Sequence, residues 1–217
     1  MRPVYLLLLL LFPLLVDSQN RPVRSFLHLS SPEKIWAISH PFIAGKAWGV
    51  TLRIRFVTDS LQKEGIPDRD PSGGKLDAFR HSFWMATLTE KVGVRKALSL
   101  GRAHEKGNYR DFKRNRLEEG ELPDKAASDM DLFNNKIGTE IGLALKGKKE
   151  KSVVDSVLQA IARGRMLIVF KDSLGRSCDS SLSPIPKQAL QGKWVTPRIL
   201  VPSDRLFNKV VKRKAHE

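Results

Sequence analysis

At 217 residues, with 41% hydrophobic and 28% charged side chains, the chain suits one globular domain whose core needs no disulfides. Its single cysteine, Cys178, excludes an internal disulfide framework; with no CxxC or neighbouring histidine it also argues against a zinc ribbon. A net charge of +15 favours an anionic substrate or envelope surface, but its spread along the chain, without any specific nucleic-acid motif, argues against dedicated nucleic-acid readout.

Met1-Arg2-Pro3 is a short basic start, and Val4 to Val16 is mostly leucine. With Val16 and Ser18 as permissive residues, residues 1–18 read as a signal peptide cleaved after Ser18. The apolar run is short of the ~20 residues of a membrane span, and no second run of that length follows. The expectation is a secreted or periplasmic protein with no transmembrane segment after cleavage. Processing removes one basic and one acidic residue, so the charge of +15 is kept.

Residues 19–31 read as an extended lead-in. Ser31 is the expected N-cap of a helix over Glu33 to Ser39, with Pro32 at the first helical position. His40-Pro41 interrupts it, and a second helix over Phe42 to Gln62 carries Ile43, Ala47, Val50, Ile54, Val57 and Leu61 on one apolar stripe. A loop rich in Gly, Pro and Asp (Gly65 to Gly74) leads to a central helix over Lys75 to Val92, which Gly93 ends. Further helices are expected over Val94 to Gly107, Asp129 to Lys146 and Ser152 to Arg163, and Asn108 to Lys125 reads as a solvated charged arm. Met166 to Phe170 suits a short strand or a buried extension. Lys171 to Glu217 shows no sustained period, and Trp194, Ile199, Leu200 and Leu206 are its expected anchors. The fold class is therefore mainly α: a single-domain helical bundle with room for a short strand near 166–170. The helical core spans 32–170, and residues 171–217 form an irregular basic C-terminal extension packing on it.

Three polar stretches carry the chemistry. On the central helix Asp77, Arg80, His81 and Trp84 fall at i, i+3, i+4 and i+7 and share one face. His104-Glu105 is the second stretch. Met130 to Gly138 is the third, with Asp131, Asn134, Asn135 and Gly138 at the same spacing. Gly138 costs a helix about 1 kcal/mol relative to alanine, so close approach of another helix or a ligand is expected there.

If the three stretches converge, His81, His104, Glu105 and Asp131 form a ligand set for a divalent metal such as zinc, which would make a nucleophile of a bound water. Without metal, His81 would be a general base oriented by Asp77, with Glu105 as a further acid–base group and Arg80 an anion clamp. Asn134, Asn135 and Trp84 complete the expected substrate contacts beside Arg80. The competing reading makes the same residues a buried polar network that fixes helix registry without chemistry.

The blocks D-A-F-R-H-x-x-W (Asp77 to Trp84), H-E (His104-Glu105) and M-D-x-x-N-N-x-x-G (Met130 to Gly138) resemble, in that order, an uncharacterised bacterial domain family. The similarity covers roughly Glu33 to Phe170, and His40-Pro41 before a long helix is part of it. The resemblance implies a mostly helical extracytoplasmic domain, sometimes a module of larger proteins, and brings no established activity. Phe133 departs from the pattern, since relatives tend to carry histidine there. A looser likeness, through the order His81…His104-Glu105…Asp131, is to all-helical metal phosphohydrolases, with Glu105 where those have aspartate. The expectation is a hydrolase acting on an anionic phosphoester-type substrate; the alternative is a non-enzymatic envelope or interaction protein.

Overall fold

The expected helices form, with shifted ends, in a computed structural model that describes residues 26–205. The signal peptide expected over 1–18 and the anchor expected at Leu206 lie outside the described residues. In chain order the elements are α1 (Ser31–Ser39), α2 (Pro41–Glu64), α3 (Lys75–Val92), α4 (Val94–Lys113), α5 (Lys125–Ala144), α6 (Glu150–Ala162), β1 (Leu167–Val169), α7 (Lys187–Leu190) and β2 (Leu200–Pro202). Among the described residues no helix is long and apolar enough to cross a membrane.

The shifted ends have local causes. The cap of α1 is Ser30 rather than Ser31: its Oγ accepts from the Glu33 N–H, and Glu33 Oε2 accepts from the Ser30 N–H at 2.9 Å. This capping box satisfies two otherwise orphaned donors. Residues 26–28 are helical, not extended as the lead-in reading had them. His40 closes α1 and opens α2, its ring stacked on Trp36 at 4.7 Å, and Pro41 starts the new helix. Helix α4 runs past Gly107 to Lys113, and Gly107 is there because a Cβ would strike the Ser30 side chain. That glycine admits a neighbour; it does not end a helix. Helix α5 starts a turn before Asp129, because Asp124 Oδ1 accepts from the Ala127 N–H at 2.9 Å.

Helix α3 is the hub. Its Leu76, Ala78, Phe79, Phe83, Met85 and Leu88 are buried, and it packs against α2, α4, α5 and α6. Its closest neighbour is α5, where a Cβ on Gly138 or Gly142 would run into the backbone of Ser82 or Ala86. Backbone-to-backbone approach is the reason Gly138 sits mid-helix. The 65–74 loop aims α3: Asp68 accepts from the Lys75 and Leu76 N–H groups at 2.9 and 3.0 Å, and Lys171 Nζ holds Asp70 at 2.6 Å.

The C-terminal stretch is less irregular than its sequence reads. β2 pairs antiparallel with β1, Leu167 opposite Pro202 and Val169 opposite Leu200. Three paired residues are too few to leave an alternating pattern. Trp194 anchors this stretch on Tyr109 and Phe112, with ring centroids 4.8 and 5.4 Å away.

Candidate active site

Facing turns of α3, α4 and α5 bring the three polar stretches together, but not as one ligand set. His81 Nε2 stands 3.5 Å from Asp77 Oδ1 and 3.5 Å from Asp131 Oδ2, with all three side chains buried. One ligand atom from each residue lies within 4.8 Å of the others. Ligands at ~2.0–2.2 Å from a tetrahedral ion sit about 3.4 Å apart, so the two 3.5 Å separations suit a divalent cation. Asp77 is held from behind: Oδ2 accepts from the Gly73 N–H at 2.7 Å and Oδ1 from Arg80 Nη2 at 2.6 Å. His81 Nδ1, Asp131 Oδ1, Glu105 Oε1 and both amide atoms of Asn135 are buried without a hydrogen-bond partner. Buried polar atoms are rarely orphaned, so these are the groups that an ordered water or a ligand would satisfy.

His104 and Glu105 take other partners, which corrects the expected metal set. His104 Nδ1 lies 3.0 Å from Glu33 Oε1 and Nε2 lies 3.1 Å from Glu118 Oε1, so both ring nitrogens are engaged. Glu105 Oε2 accepts from Ser128 Oγ at 2.8 Å and Asn108 Nδ2 at 3.3 Å. The ligand atoms that do gather with His81 are those of Asp77 and Asp131. Asn134 is not a substrate contact: its Nδ2 donates to the Leu167 carbonyl and its Oδ1 accepts from the Leu167 N–H, both at 2.9 Å, clamping β1. Arg80 is not a free clamp either, since Nη1 binds Glu119 Oε1 at 2.7 Å while Nη2 holds Asp77. Phe133 is 40% exposed, while Asp131 and Asn134 are buried, so a histidine there would face away from the cluster.

A cavity of about 390 Å³ runs between α1, α2, α3 and α4. Its charged lining is Glu33, Arg55, Asp59, Arg80, His104, Glu118 and Glu119, and Trp36, Ala44, Ala47, Trp48, Ile54 and Leu100 are among its apolar lining. Trp84 is pinned by a 3.0 Å bond from Nε1 to Thr51 Oγ1, and its ring meets His81 and His104 edge-on. Asn135 stands beside His81, where its amide favours the charged ring without reaching good hydrogen-bond geometry.

Electrostatics separate the groups. Burial, with the Arg80 and His104 charges, holds His81 well below its ordinary value, so it is neutral at pH 7 and able to be a ligand. Burial also disfavours charge on His104, but Glu118 and Glu33 outweigh it and hold the ring protonated. In return, His104 overcomes burial to keep Glu33 at about 2. Burial pushes Asp77 up to about 6 against the pull of Arg80, and Glu105 up to about 7 against His104. Burial raises Asp131 well above the carboxylate range, and the neighbouring Asp77 and Glu105 raise it further. Asp77 and Asp131 beside a neutral His81, with Arg80 on Asp77, thus form a donor set with the chemistry of a divalent-cation site.

The blocks that build this cluster lie within the stretch that a family model covers, residues 34–165, described as Domain of unknown function (DUF6973). The chain belongs to that family. No curated protein and no solved structure matches it.

Sequence reading missed Glu33, Glu118 and Glu119. Glu33 lies in an S-S-P-E start whose capping role hides any other. The two glutamates belong to the segment read as a solvated arm; the Glu118–Glu121 bridge folds that segment back over the cavity.

Proposed function

We propose that the protein is a secreted or periplasmic metal-dependent hydrolase, with a divalent cation held by Asp77, His81 and Asp131, acting on an anionic phosphoester-type substrate. The observation that carries this reading is the buried Asp77–His81–Asp131 set, at ligand spacing and ringed by unpartnered polar atoms. When bound, the cation would supply Lewis acidity and a water whose pKa is brought toward ~7.

The chain's own residues do the rest. Two carboxylates and a neutral imidazole cancel a divalent charge; Arg80 and His104 then stand against Glu33, Glu118 and Glu119, so a phosphoester gains a free cation only by displacing an acid from Arg80. Arg80 Nη1 would exchange the half-exposed Glu119 for a substrate oxygen. Hydrolysis forms one phosphorus–oxygen bond from water and breaks the ester bond, and the leaving oxygen needs a proton. His104 holds protons at the cavity wall, its ring centroid 5.8 Å from that of His81, and its Nε2 proton would pass to a leaving oxygen that takes the place of Glu118. Glu33 on Nδ1 orients the ring.

The burial of Asp77 and Asp131 behind the wall favours the competing reading, a registry-fixing network in a non-enzymatic envelope protein. Metal analysis of the purified protein separates the two. The metal reading expects about one divalent ion per chain, lost in Asp131→Asn, and metal-dependent release of nitrophenol from bis-nitrophenyl phosphate. A folded protein that takes up no zinc, manganese or magnesium would overturn it.

A further inference from the structure

Helix α2 has two faces with different business. The inner face, through Ala44, Ala47, Trp48 and Ile54, supplies apolar lining to the cavity. The outer face carries Phe42, Gly45, Gly49, Leu52 and Phe56, spaced by three, four, three and four, which makes one stripe along the helix. Phe42 is 94% exposed, Phe56 62% and Leu52 48%, and nothing lies within 4 Å of a Cβ built at Gly45 or Gly49. Just upstream, α1 exposes Ile35 and Ile38. Apolar residues concentrated in this way, rather than scattered singly, mark a contact surface.

The charges on α2 are mostly basic: Lys46, Arg53, Arg55 and Lys63 stand against Asp59 and Glu64. Among the described residues Arg53 is paired, to Glu150 at 2.7 Å, and Lys46, Arg55 and Lys63 are in no ion pair. Arg55 also lines the cavity, where Asp59 is the nearest acid along the helix. An amphipathic helix with exposed aromatics and unpaired basic residues, on a chain of net charge +15, complements an anionic bilayer. Behind it lies a cavity whose lining is largely apolar, with Arg55 and Arg80 among its charged groups.

We propose that the outer face of α2 docks on an anionic lipid bilayer, and that the cavity accepts the acyl chain of a phospholipid-class amphiphile whose phosphate faces Arg55 and Arg80. The catalytic part of this substrate assignment rests on the metal-hydrolase reading; the docking and the chain binding do not. Lifting a lipid from the surface into the site requires the two faces of one helix to serve together. The exposed aromatics anchor, the basic residues select charge, and Ala44 and Ala47 leave room for the chain.

The test uses the purified mature protein with vesicles of phosphatidylcholine alone or mixed with phosphatidylglycerol. Co-sedimentation is expected with the mixed vesicles, weakened by added salt, and reduced about 10-fold or more in a Phe42→Ser/Phe56→Ser variant. Both side chains are exposed, so the variant keeps its fold, its metal and its cavity. Occupancy is read separately with lysophosphatidylglycerol brominated on its chain, which should quench Trp36, Trp48 and Trp84. Ala47→Phe, or the more peripheral Ala44→Phe if the first unfolds, should abolish that quenching while vesicle binding persists. Equal binding to both vesicle types, or full binding by the double variant, would overturn the docking. So would self-association or a protein partner lost with the two phenylalanines while vesicles are ignored. Absence of quenching would overturn the chain-binding half. Asp131→Asn should bind vesicles and the brominated lipid as the parent does. If it does so and the parent proves metal-free, the hydrolase reading fails and the lipid site stands.

Discussion

Two histidines 5.8 Å apart, both drawn into the protein from neighbouring helices, end in opposite protonation states. His104 has a carboxylate at hydrogen-bonding distance on each ring nitrogen, Glu33 at 3.0 Å and Glu118 at 3.1 Å, and it is charged. His81 has two carboxylates at 3.5 Å, outside good hydrogen-bond geometry, and it is neutral. Desolvation acts on both in the same direction, so the distances and the Arg80 charge beside His81 make the difference. One cluster is complete within the chain. The other has the spacing that the proposed cation's donors would need.

The largest effect that can break this comparison comes from replacing one oxygen. Asp131→Asn keeps the volume and removes the anionic ligand, so metal affinity should fall by ~100-fold or more, beyond the 10–100-fold of an outer-shell change. Hydrolysis should fall with it. Glu118→Gln, in the complete cluster, should leave affinity within about 10-fold. Calorimetric titration with zinc or manganese measures both; equal losses would mean that the clusters are one.

Stability should respond in the reverse order. His104→Ala leaves Glu33 and Glu118 facing each other with their shared cation gone, and breaking a buried pair costs ~3–5 kcal/mol. His104 keeps a quarter of its side chain open, which brings the expectation down to ~2–4 kcal/mol. Urea unfolding of the variant checks it. Asp131→Asn should not destabilise the metal-free protein, because burial already favours the uncharged carboxyl there. A large loss at Asp131 and none at His104 would invert the assignment.

A smaller, continuous effect comes from pH. Glu105 moves from 4.5 to about 7 on folding and Asp77 from 3.8 to about 6. Raised groups contribute fully below their unfolded values, and that contribution is lost as pH climbs through the folded ones. His104, raised from 6.5, extends the same loss to higher pH. Glu33 works the other way: held at about 2, its contribution is present above 4.5 and lost as pH falls through 2. His81, held low, gains stability as pH rises toward 6.5, but the three raised carboxyls Asp77, Glu105 and Asp131 outnumber it, so the metal-free protein should have its highest Tm at about pH 4.5–5 and lose stability toward pH 7. Saturating metal, which needs Asp77 and Asp131 ionised, should flatten or reverse that slope. Parallel Tm profiles with chelator and with metal would show that neither aspartate meets the ion.

These contrasts explain what was readable in the sequence. Helix α3 was readable to the residue, because Gly74 and Gly93 bracket it and Leu76, Phe79, Phe83 and Met85 fix its buried side. Asp77, His81 and Asp131 were singled out because acid and imidazole at i and i+4 share a face. Their grouping was not, because a partner on another helix is set by packing depth: the Gly138–Ser82 contact pulls α5 onto α3 and delivers Asp131 to His81. His104 was misassigned for the same reason, since its partners come from a cap and from a loop with no periodicity. Asn134 looked like a site residue because a side-chain amide clamping an edge strand has the same polar signature as one reading a ligand.

The smallest effect tests whether the charged lining of the cavity is built for an anion. Glu119 is about half exposed and binds Arg80 Nη1 at 2.7 Å. An exposed pair of this kind contributes ~0–1 kcal/mol, so Glu119→Gln should leave folding stability almost unchanged. If Glu119 occupies the place of a substrate oxygen, losing its charge removes a competitor of the same strength. Affinity for phenyl phosphate should then rise, by at most ~5-fold for 1 kcal/mol. Arg80→Lys should lose affinity instead, because a lysine cannot hold Asp77 and an anion at once with a fixed fork. The gain in Glu119→Gln should vanish in the Arg80→Lys background, since both changes act through one guanidinium. Additive effects would place the anion elsewhere, and a fall in affinity in Glu119→Gln would make Glu119 a ligand of the substrate rather than its stand-in.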